Sequence, residues 1–379
     1  MGGFAGHMSH IYDINEIKFT DIFNIINQFK DKKINSFTEK LDGLNIFASI
    51  NKNGEITFAR NKTDIKSGGF TYIDIQKRWY DKPNIAIAYQ FAYKTLASAL
   101  QNIKTLINKN YQIWLNCEVL HNKAINVIPY NKNMVSIHNI TAYDNNLRQI
   151  NIKQKTVHKI YNNILWNDNI QKTNTVLFND NFMKFYKPSS VTTINKIDTL
   201  LKKYNLCKTN TIKDFKQKAL FNYIKQYNPF NLNSIFINEN DELTKLLINR
   251  WLFNDKIINL KYIKSLIKKT NEEYLTTFNL IKSSDITKIK NDSLSELSNI
   301  FRKYGNLFLI HANNNMNHNN DNNISYKISN KLSIINPLLL NYVIPRTIEG
   351  VVFKYKKYTI KLTGDFPIIN DVLSTYKNY

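Results

Sequence analysis

Between Asn145 and Tyr304 the chain contains no glycine and two prolines, Pro188 and Pro229. A stretch this long without the residues that punctuate turns reads as helices joined by short connections. Apolar residues recur at helical spacing in Ile212 to Tyr227, Asp241 to Phe253, Leu260 to Lys269 and Ser293 to Tyr304, so an independent α-helical unit is expected here. Strand texture lies on both sides of it. The expected organisation is a β-rich core in two pieces, residues 1–144 and 336–379, interrupted by an α-helical insertion at 145–335, and the class is α+β.

Within the first piece, Ile22, Phe23, Ile25, Ile26 and Phe29 follow Thr20 at helical spacing, which predicts a helix from Thr20 to Phe29 capped by Thr20. Leu44 to Ile50 and Glu55 to Arg60 are rich in strand formers and are joined through Asn53-Gly54, a hairpin signal. The periodicity of Ile85 to Ile107 predicts one helix burying Ala88, Ala92, Leu96, Ala99 and Ile103. Tyr111 to Leu120 and Ala124 to Tyr130 are expected to be a second pair of strands. After the helical block, the Asn-rich tract Asn313 to Asn323 reads as a loop, and strand texture returns from Tyr342, in Glu349 to Tyr355 and Tyr358 to Leu362.

The length of 379 residues suits two or three domains, or one with a large insertion. A hydrophobic content of 43% excludes global disorder. Cys117 and Cys207 are the only cysteines, too few for a disulfide framework, which points to a reducing compartment. No apolar run has the length of a membrane span and the first residues lack a signal-peptide pattern, so a soluble, cytoplasmic protein is expected. Lys and Arg number 52 against 29 Asp and Glu, a net charge of +23, and 22 Tyr and 22 Phe lie among them. That is the footprint of a polyanion binder. The abundance of Lys, Asn and Ile also fits an AT-rich coding sequence, so charge alone does not choose a function. Residues 151–300 hold 24 basic and 13 acidic residues, so the excess is denser in the helical block without being confined to it.

Thr38-Glu39-Lys40-Leu41-Asp42-Gly43-Leu44-Asn45 puts a lysine just before a strand, an acid two residues later and a glycine that permits a sharp turn. Alone, a lysine beside a turn is a common surface feature, and three later segments give it weight. Trp114 to Val119 sets one carboxylate, Glu118, near a strand end. Glu349-Gly350-Val351-Val352-Phe353-Lys354 sets an acid and a lysine on one strand, and Lys361 stands on the next. In a regular strand Glu349 and Lys354 would face opposite sides, so a bulge at Gly350 is expected to reconcile them. Cys117 and His121 lack the second pair that a zinc site requires. Trp114 and Trp251 read as core.

In this order the segments resemble the motifs of the covalent nucleotidyltransferases, the superfamily of ATP-dependent polynucleotide ligases and mRNA capping enzymes. K-x-D-G is at Lys40–Gly43, an arginine follows the hairpin at Arg60, a strand glutamate is at Glu118, E-G-x-V-x-K is at Glu349–Lys354 and a lysine-bearing strand holds Lys361. The resemblance covers about 200 of the 379 residues. T-E-K-x-x-G-x-N at Thr38–Asn45 looks most like the RNA ligases that bacteriophages encode.

The resemblance implies an ATP-grasp-like adenylation domain of antiparallel sheets with flanking helices. It also implies an ATP-dependent RNA ligase needing Mg²⁺ or Mn²⁺, in the host cytoplasm if phage-encoded. Lys40 would attack the α-phosphorus of ATP, expelling pyrophosphate and leaving lysyl-AMP, AMP would pass to a 5′-phosphate end, and a 3′-hydroxyl would displace it. Lys354 and Lys361 would offset charge on the phosphoryl group, and Glu349 would hold the metal. Glu118 would accept from a ribose hydroxyl, and Glu39, Asp42 and Gly43 would contact the nucleotide. Arg60 would touch the ribose or the 5′-phosphate, Asn45 would act after adenylylation, and His138 would either stack on adenine or simply pack.

Two departures stand out. The fifth motif of most ligases has two lysines around one residue, whereas Thr359 and Thr363 flank Lys361 at that spacing. Only 18 residues follow Lys361, too few for the C-terminal OB-fold of DNA ligases and capping enzymes, which favours an RNA-ligase type with the helical unit as polynucleotide clamp. The alternatives are a DNA ligase, a capping-type enzyme, or a catalytically inactive nucleic-acid-binding or virion protein on the same fold.

Overall fold

The computed structural model describes residues 8–31, 33–34, 36–51, 54–106, 111–124, 128, 130, 132–144, 146–173, 175–177, 180–234, 238–253, 259–270, 272–315 and 349–366. The chain is a mixed α+β protein whose strand pairings, among the described residues, are antiparallel but for one. It divides into two compact units. One comprises residues 1–8, 36–178 and 305–379, and the other residues 9–35 and 179–304.

In chain order the described elements are α1 (Phe19–Lys30), β1 (Ser36–Lys40), β2 (Leu44–Ile50), β3 (Ile56–Ala59), α2 (Lys62–Lys66), α3 (Tyr72–Arg78), α4 (Pro83–Ala99), β4 (Tyr111–Leu120), β5 (Met134–Asp144), β6 (Gln149–Ile150) and α5 (Gln154–Asn162). They continue with β7 (Ile170–Lys172), β8 (Thr175–Leu177), α6 (Asp180–Lys203), α7 (Ile212–Tyr227), α8 (Glu242–Phe253), α9 (Leu260–Thr270), α10 (Glu272–Leu280), α11 (Ser283–Asn315), β9 (Gly350–Tyr355) and β10 (Tyr358–Leu362).

The first unit carries two sheets. A four-stranded sheet has the order β10-β9-β1-β8, so strands from the two ends of the chain meet at its centre. The second sheet runs β3-β2-β4-β5-β6, with β7 parallel to β5. One face of this second sheet is covered by α3 and α4 over Ile46, Ala48, Phe58, Cys117, Val119 and Ile137. Ala88, Ala92 and Ala99 of α4 are fully buried, and such small side chains let the helix lie close on the strands. Pro83 opens α4 at its first turn, where no backbone N–H is needed. The helix stops at Ala99, and the predicted continuation is a 3₁₀ turn over Gln101–Leu106 that still buries Ile103.

Of the predicted strand at Ala124–Tyr130, the described residues Ala124, Ile128 and Tyr130 are not in a strand. Ile128 N–H donates to Asp42 Oδ2 (2.8 Å) and the Tyr130 hydroxyl accepts from Asp42 N–H (2.8 Å), so these two residues bind the turn after β1. The strand beside β4 is β5 instead. Residues 125–127 and 129 lie outside the described residues, as do Asn53 of the predicted turn, residues 316–323 of the Asn-rich tract and the strand texture at Tyr342. Gly54 supplies the left-handed step of the β2–β3 hairpin, with φ of 79°.

The second unit is helical. Leu220, Phe221, Ile224, Leu247, Ile248, Ile263, Ile267 and Ile289 form its main core, drawn from α7, α8, α9 and α11, and Trp251 packs against it half-buried. Helix α7 starts with a capping box, in which Thr211 Oγ1 accepts from Asp214 N–H and Asp214 Oδ2 accepts from Thr211 N–H. It ends at Asn228, held left-handed with φ of 40°.

The boundaries differ from those expected. Helix α1 belongs with the helical unit, because its apolar face buries Phe19 against Phe215 and Phe29 against Tyr304. Its N-cap is Lys18, whose N–H reaches Asp21 Oδ2, and Thr20 already lies inside the helix. Residues 145–178 stay with the sheets, since β6, β7 and β8 all pair there. Among the described residues no helix is long and apolar enough to cross a membrane.

Candidate active site

The register of the four-stranded sheet decides which basic residues meet. Lys40 pairs with Gly350, Thr38 with Val352, and Val352 in turn with Lys361. Residues paired across an antiparallel ladder share a face, and positions two apart along a strand do too. Lys40, Lys354 and Lys361 therefore occupy one face, though Lys40 and Lys361 are 321 positions apart in the chain. The opposite face carries Phe37, Val351 and Phe353, with Phe37 packed on Phe308 and Phe353 at ring separations of 5.2 and 5.6 Å.

That pleat corrects one expectation. Glu39 falls on the Phe37 face, 3% exposed, so its carboxylate is directed away from Lys40. The bulge expected at Gly350 does not form, since the β1–β9 register is regular. Glu349 precedes β9 and is not bound by strand alternation. Its N–H donates to the Lys40 carbonyl (2.7 Å), and its side chain turns to form an ion pair with the Lys40 ammonium. Burial raises the Glu349 carboxyl above the ordinary carboxylate range. Lys40 opposes that shift, and Asp42 and Glu118 add to it.

Asp42 and Gly43 form the crossing from β1 to β2, between the two sheets. Gly43 is required by proximity: a Cβ there would lie 2.6 Å from the Val119 carbonyl oxygen and 2.9 Å from Glu118 Cγ. The close approach lets Gly43 N–H donate to Glu118 Oε1 at 3.0 Å. Glu118 pairs with Asn45 on one side and Ser136 on the other, so all three share a face. Asn45 donates to Asn116 Oδ1 (2.8 Å).

His138 is the extra residue of a β-bulge opposite Asn116 and Cys117. Its Nε2 lies 3.3 Å from Glu118 Oε2 and its Nδ1 2.7 Å from Thr173 Oγ1, which lies 2.9 Å from Ser136 Oγ. The bulge thus aims the ring edge at Glu118. Thr173, Ser136 and Asn116 went unnoticed in the sequence because single hydroxyl and amide residues carry no spacing signal.

Arg60 directly follows β3 and is exposed. Its N–H donates to Asp64 Oδ2 (2.8 Å), and Asp64 also takes a two-pronged bond from Arg78 at 2.9 and 3.1 Å. Arg78 in turn covers the rings of Phe70 and Trp79. Asp64 and Arg78 are further positioning groups that the sequence did not mark. Because Arg78 is 37% exposed, the pair itself adds little. Asp64→Ala is nonetheless expected to cost about 2 kcal/mol through the orphaned Arg60 N–H, read as a lower urea midpoint.

Cys117 is packed in the core beneath the second sheet, and burial pushes its thiol up. His121 packs on Phe91 at 5.4 Å. Among the described residues no three His, Cys, Asp or Glu side chains converge as a metal cage. In comparisons with protein-family models, with curated proteins and with solved structures, the chain finds no match.

Proposed function

We propose that this protein is an ATP-dependent RNA ligase working through a covalent lysyl-AMP, on an adenylation domain of the ATP-grasp-like nucleotidyltransferase type. The carrying observation is the single sheet face that collects Lys40, Lys354 and Lys361 beside Glu349. A nucleophile and two fixed cations on one rigid surface are what phosphoryl transfer asks of a protein.

The donor set fits Mg²⁺ or Mn²⁺. Mg²⁺ binds through one or two carboxylates and keeps its remaining positions for water and substrate phosphates. Glu349, with Asp42 and Glu118 close enough to act on it electrostatically, supplies that much and no more. When bound, the ion neutralises phosphate charge as the nucleotide reacts.

The protein's own groups do the rest. In the free protein Glu349 orients the Lys40 ammonium, and its raised carboxyl is a better proton acceptor than a free carboxylate. Lys40 Nζ, once unprotonated, attacks the α-phosphorus of ATP, and the N–P bond of lysyl-AMP forms as the bond to the departing pyrophosphate breaks. Glu118, already braced by Gly43 N–H and His138, has lone pairs left for a ribose hydroxyl. Arg60 and the basic residues of the second unit are the partners proposed for the RNA backbone, and the cytoplasm is the compartment proposed for such a reaction.

The deciding experiment incubates the protein with α-labelled ATP and Mg²⁺. A covalent label is expected, lost in Lys40→Ala. Sealing of nicked RNA in preference to nicked DNA is expected as well, and a GTP-only adduct would redirect the assignment to capping chemistry. Glu349 also sets a pH dependence. Its carboxyl is raised, so as pH falls it takes a proton before an ordinary carboxylate would and stops orienting Lys40. The acid limb of label formation is therefore expected above the ordinary value, and the pH–rate profile of Glu349→Gln is expected to lack it.

A further inference from the structure

Of the four tryptophans, Trp79 and Trp114 are buried and Trp251 is half-buried, whereas Trp166 is 41% exposed, beside Leu165 at 40%. An indole left at the surface forgoes the gain from burying its large apolar body. This one is nonetheless fixed in place. Its Nε1–H donates to the Tyr161 carbonyl at 3.1 Å, and its ring lies 17° from the plane of the Tyr161 ring with 6.2 Å between centroids. The backbone on either side is tied down too, because Leu165 N–H donates to the Ala99 carbonyl at the end of α4 (2.9 Å) and Val135 N–H of β5 donates to the Asn169 carbonyl (2.8 Å). With the indole N–H bonded inside the chain, the exposed part of Trp166 is offered for packing rather than for hydrogen bonding.

The charge around it has one sign. Lys172, at the end of β7, is exposed, and its ammonium lies 4.9 Å from the centroid of the Tyr161 ring, so a cation and an open indole meet at one tyrosine. Helix α5 adds exposed Lys155 and Lys159, four apart and therefore on one side of the helix. Residues 151–173 hold four lysines against a single acid, Asp168. Tyr161 packs on the core beneath α4 and Lys172 pairs with Ile137 of that core, whereas Glu118 stands on the other face of the sheet.

We propose that Trp166, Tyr161 and Lys172 form a stacking platform for single-stranded nucleic acid, with an unpaired base on the Trp166 indole and the neighbouring phosphates drawn to Lys172 and the lysines of α5. Every base has a π face that an aromatic ring takes with little regard to sequence, while a duplex keeps those faces inside its own stack. A ring already held in position loses little freedom on binding. Two exposed apolar residues among lysines are small against the roughly 800 Å² per partner that a stable protein interface buries, so the occupant is a strand and not a protein. The platform lies on a different face from the Glu118 cluster and does not depend on the ligase reading.

The test measures, by fluorescence anisotropy over a range of salt, how the full-length protein binds single-stranded RNA and DNA about 12 nucleotides long, the same RNA as a duplex, and an abasic strand of equal length. Trp166→Ala and Trp166→Leu are expected to bind both single strands roughly 10-fold more weakly with an unchanged salt slope, and Trp166→Phe to stay within about threefold of wild type. The duplex and the abasic strand offer no base to stack, so their affinities are expected to be the same in all of these variants. Lys172→Gln is expected to weaken all four probes and to reduce the salt slope by about one. Melting temperatures identify the folded variants, and the leucine variant, which keeps apolar bulk without a ring, carries the test if alanine unfolds the segment. Equal single-strand affinity in wild type and a folded Trp166→Leu overturns the proposal. Equal losses on the abasic strand overturn it as well, since Trp166 would then only support the surface, and so does a loss of dimer mass in Trp166→Leu by light scattering, which would make this face a contact between copies. Lys40 labelling is expected to be unchanged in every Trp166 variant. Labelling together with Trp166-independent strand binding sinks the platform alone, and Trp166-dependent binding without any label keeps the platform and sinks the ligase reading.

Discussion

Lys40→Ala is expected to lower covalent incorporation of AMP by at least ~10³-fold, to the limit of detection, because Lys40 supplies the amine paired with Glu349 on that sheet face. Lys40→Arg is expected to behave the same way. A guanidinium keeps its proton at any pH the protein tolerates and has no lone pair to offer. Sealing of an RNA whose 5′ end already carries AMP should survive in both variants, since the proposed role of Lys40 as nucleophile is confined to the first step. That retained activity separates lost chemistry from lost folding. Some stability will also go, for Lys40 is the ion partner of the buried Glu349 carboxylate. A buried charge stripped of its partner is destabilising. Lys40→Ala combined with Glu349→Gln should therefore be more stable than Lys40→Ala alone. Equal labelling of wild type and Lys40→Ala would sink the ligase assignment.

Gly350→Val is expected to be the most damaging single substitution in the sheet, costing about 3 kcal/mol or more. Its Cβ would meet the Leu362 carbonyl oxygen at 2.5 Å and Thr363 Cα at 3.0 Å. Those atoms are backbone, so β9 and β10 would have to part. Lys40 and Lys361, on the strands either side of β9, would part with them, and labelling should fall even under conditions where the variant stays folded. Gly68→Ala is the control. Gly68 has φ of 87° and nothing within 4 Å of a Cβ, so only conformational strain opposes the substitution, about 1 kcal/mol. Urea midpoints of the two variants measure the contrast, and a Gly350→Val midpoint as high as that of Gly68→Ala would refute the packing argument.

Much of the site was legible because its residues sit at strand ends in short, ordered strings. Lys40 through Asn45, Glu118, Glu349 to Lys354 and Lys361 could each be named from the chain alone. What failed did so for definable reasons. Glu39 was grouped with Lys40 as a sequence neighbour, and pleating sends neighbours to opposite faces. Gly43 and Gly350 were read as turn and bulge, yet both are glycine because another strand passes within contact distance. Ile128 and Tyr130 belong to a run of strand formers, yet both hydrogen-bond to Asp42 at the turn after β1. The brace of Glu118 by His138, Thr173 and Ser136 draws on separate strands and leaves no local pattern.

Local chemistry in the sequence determined the classes of element, namely where glycine-free helices replace strands and where a hairpin turns, and it named the lysines that the proposed reaction needs. Tertiary structure alone decided that β1 from the start of the chain lies between β8 and β9, and that the register of those ladders puts Lys40, Lys354 and Lys361 on one face. Periodicity and turn propensity act within a few residues. Pairing between strands some 300 residues apart is set by which buried faces fit together, and no short window of sequence contains that information.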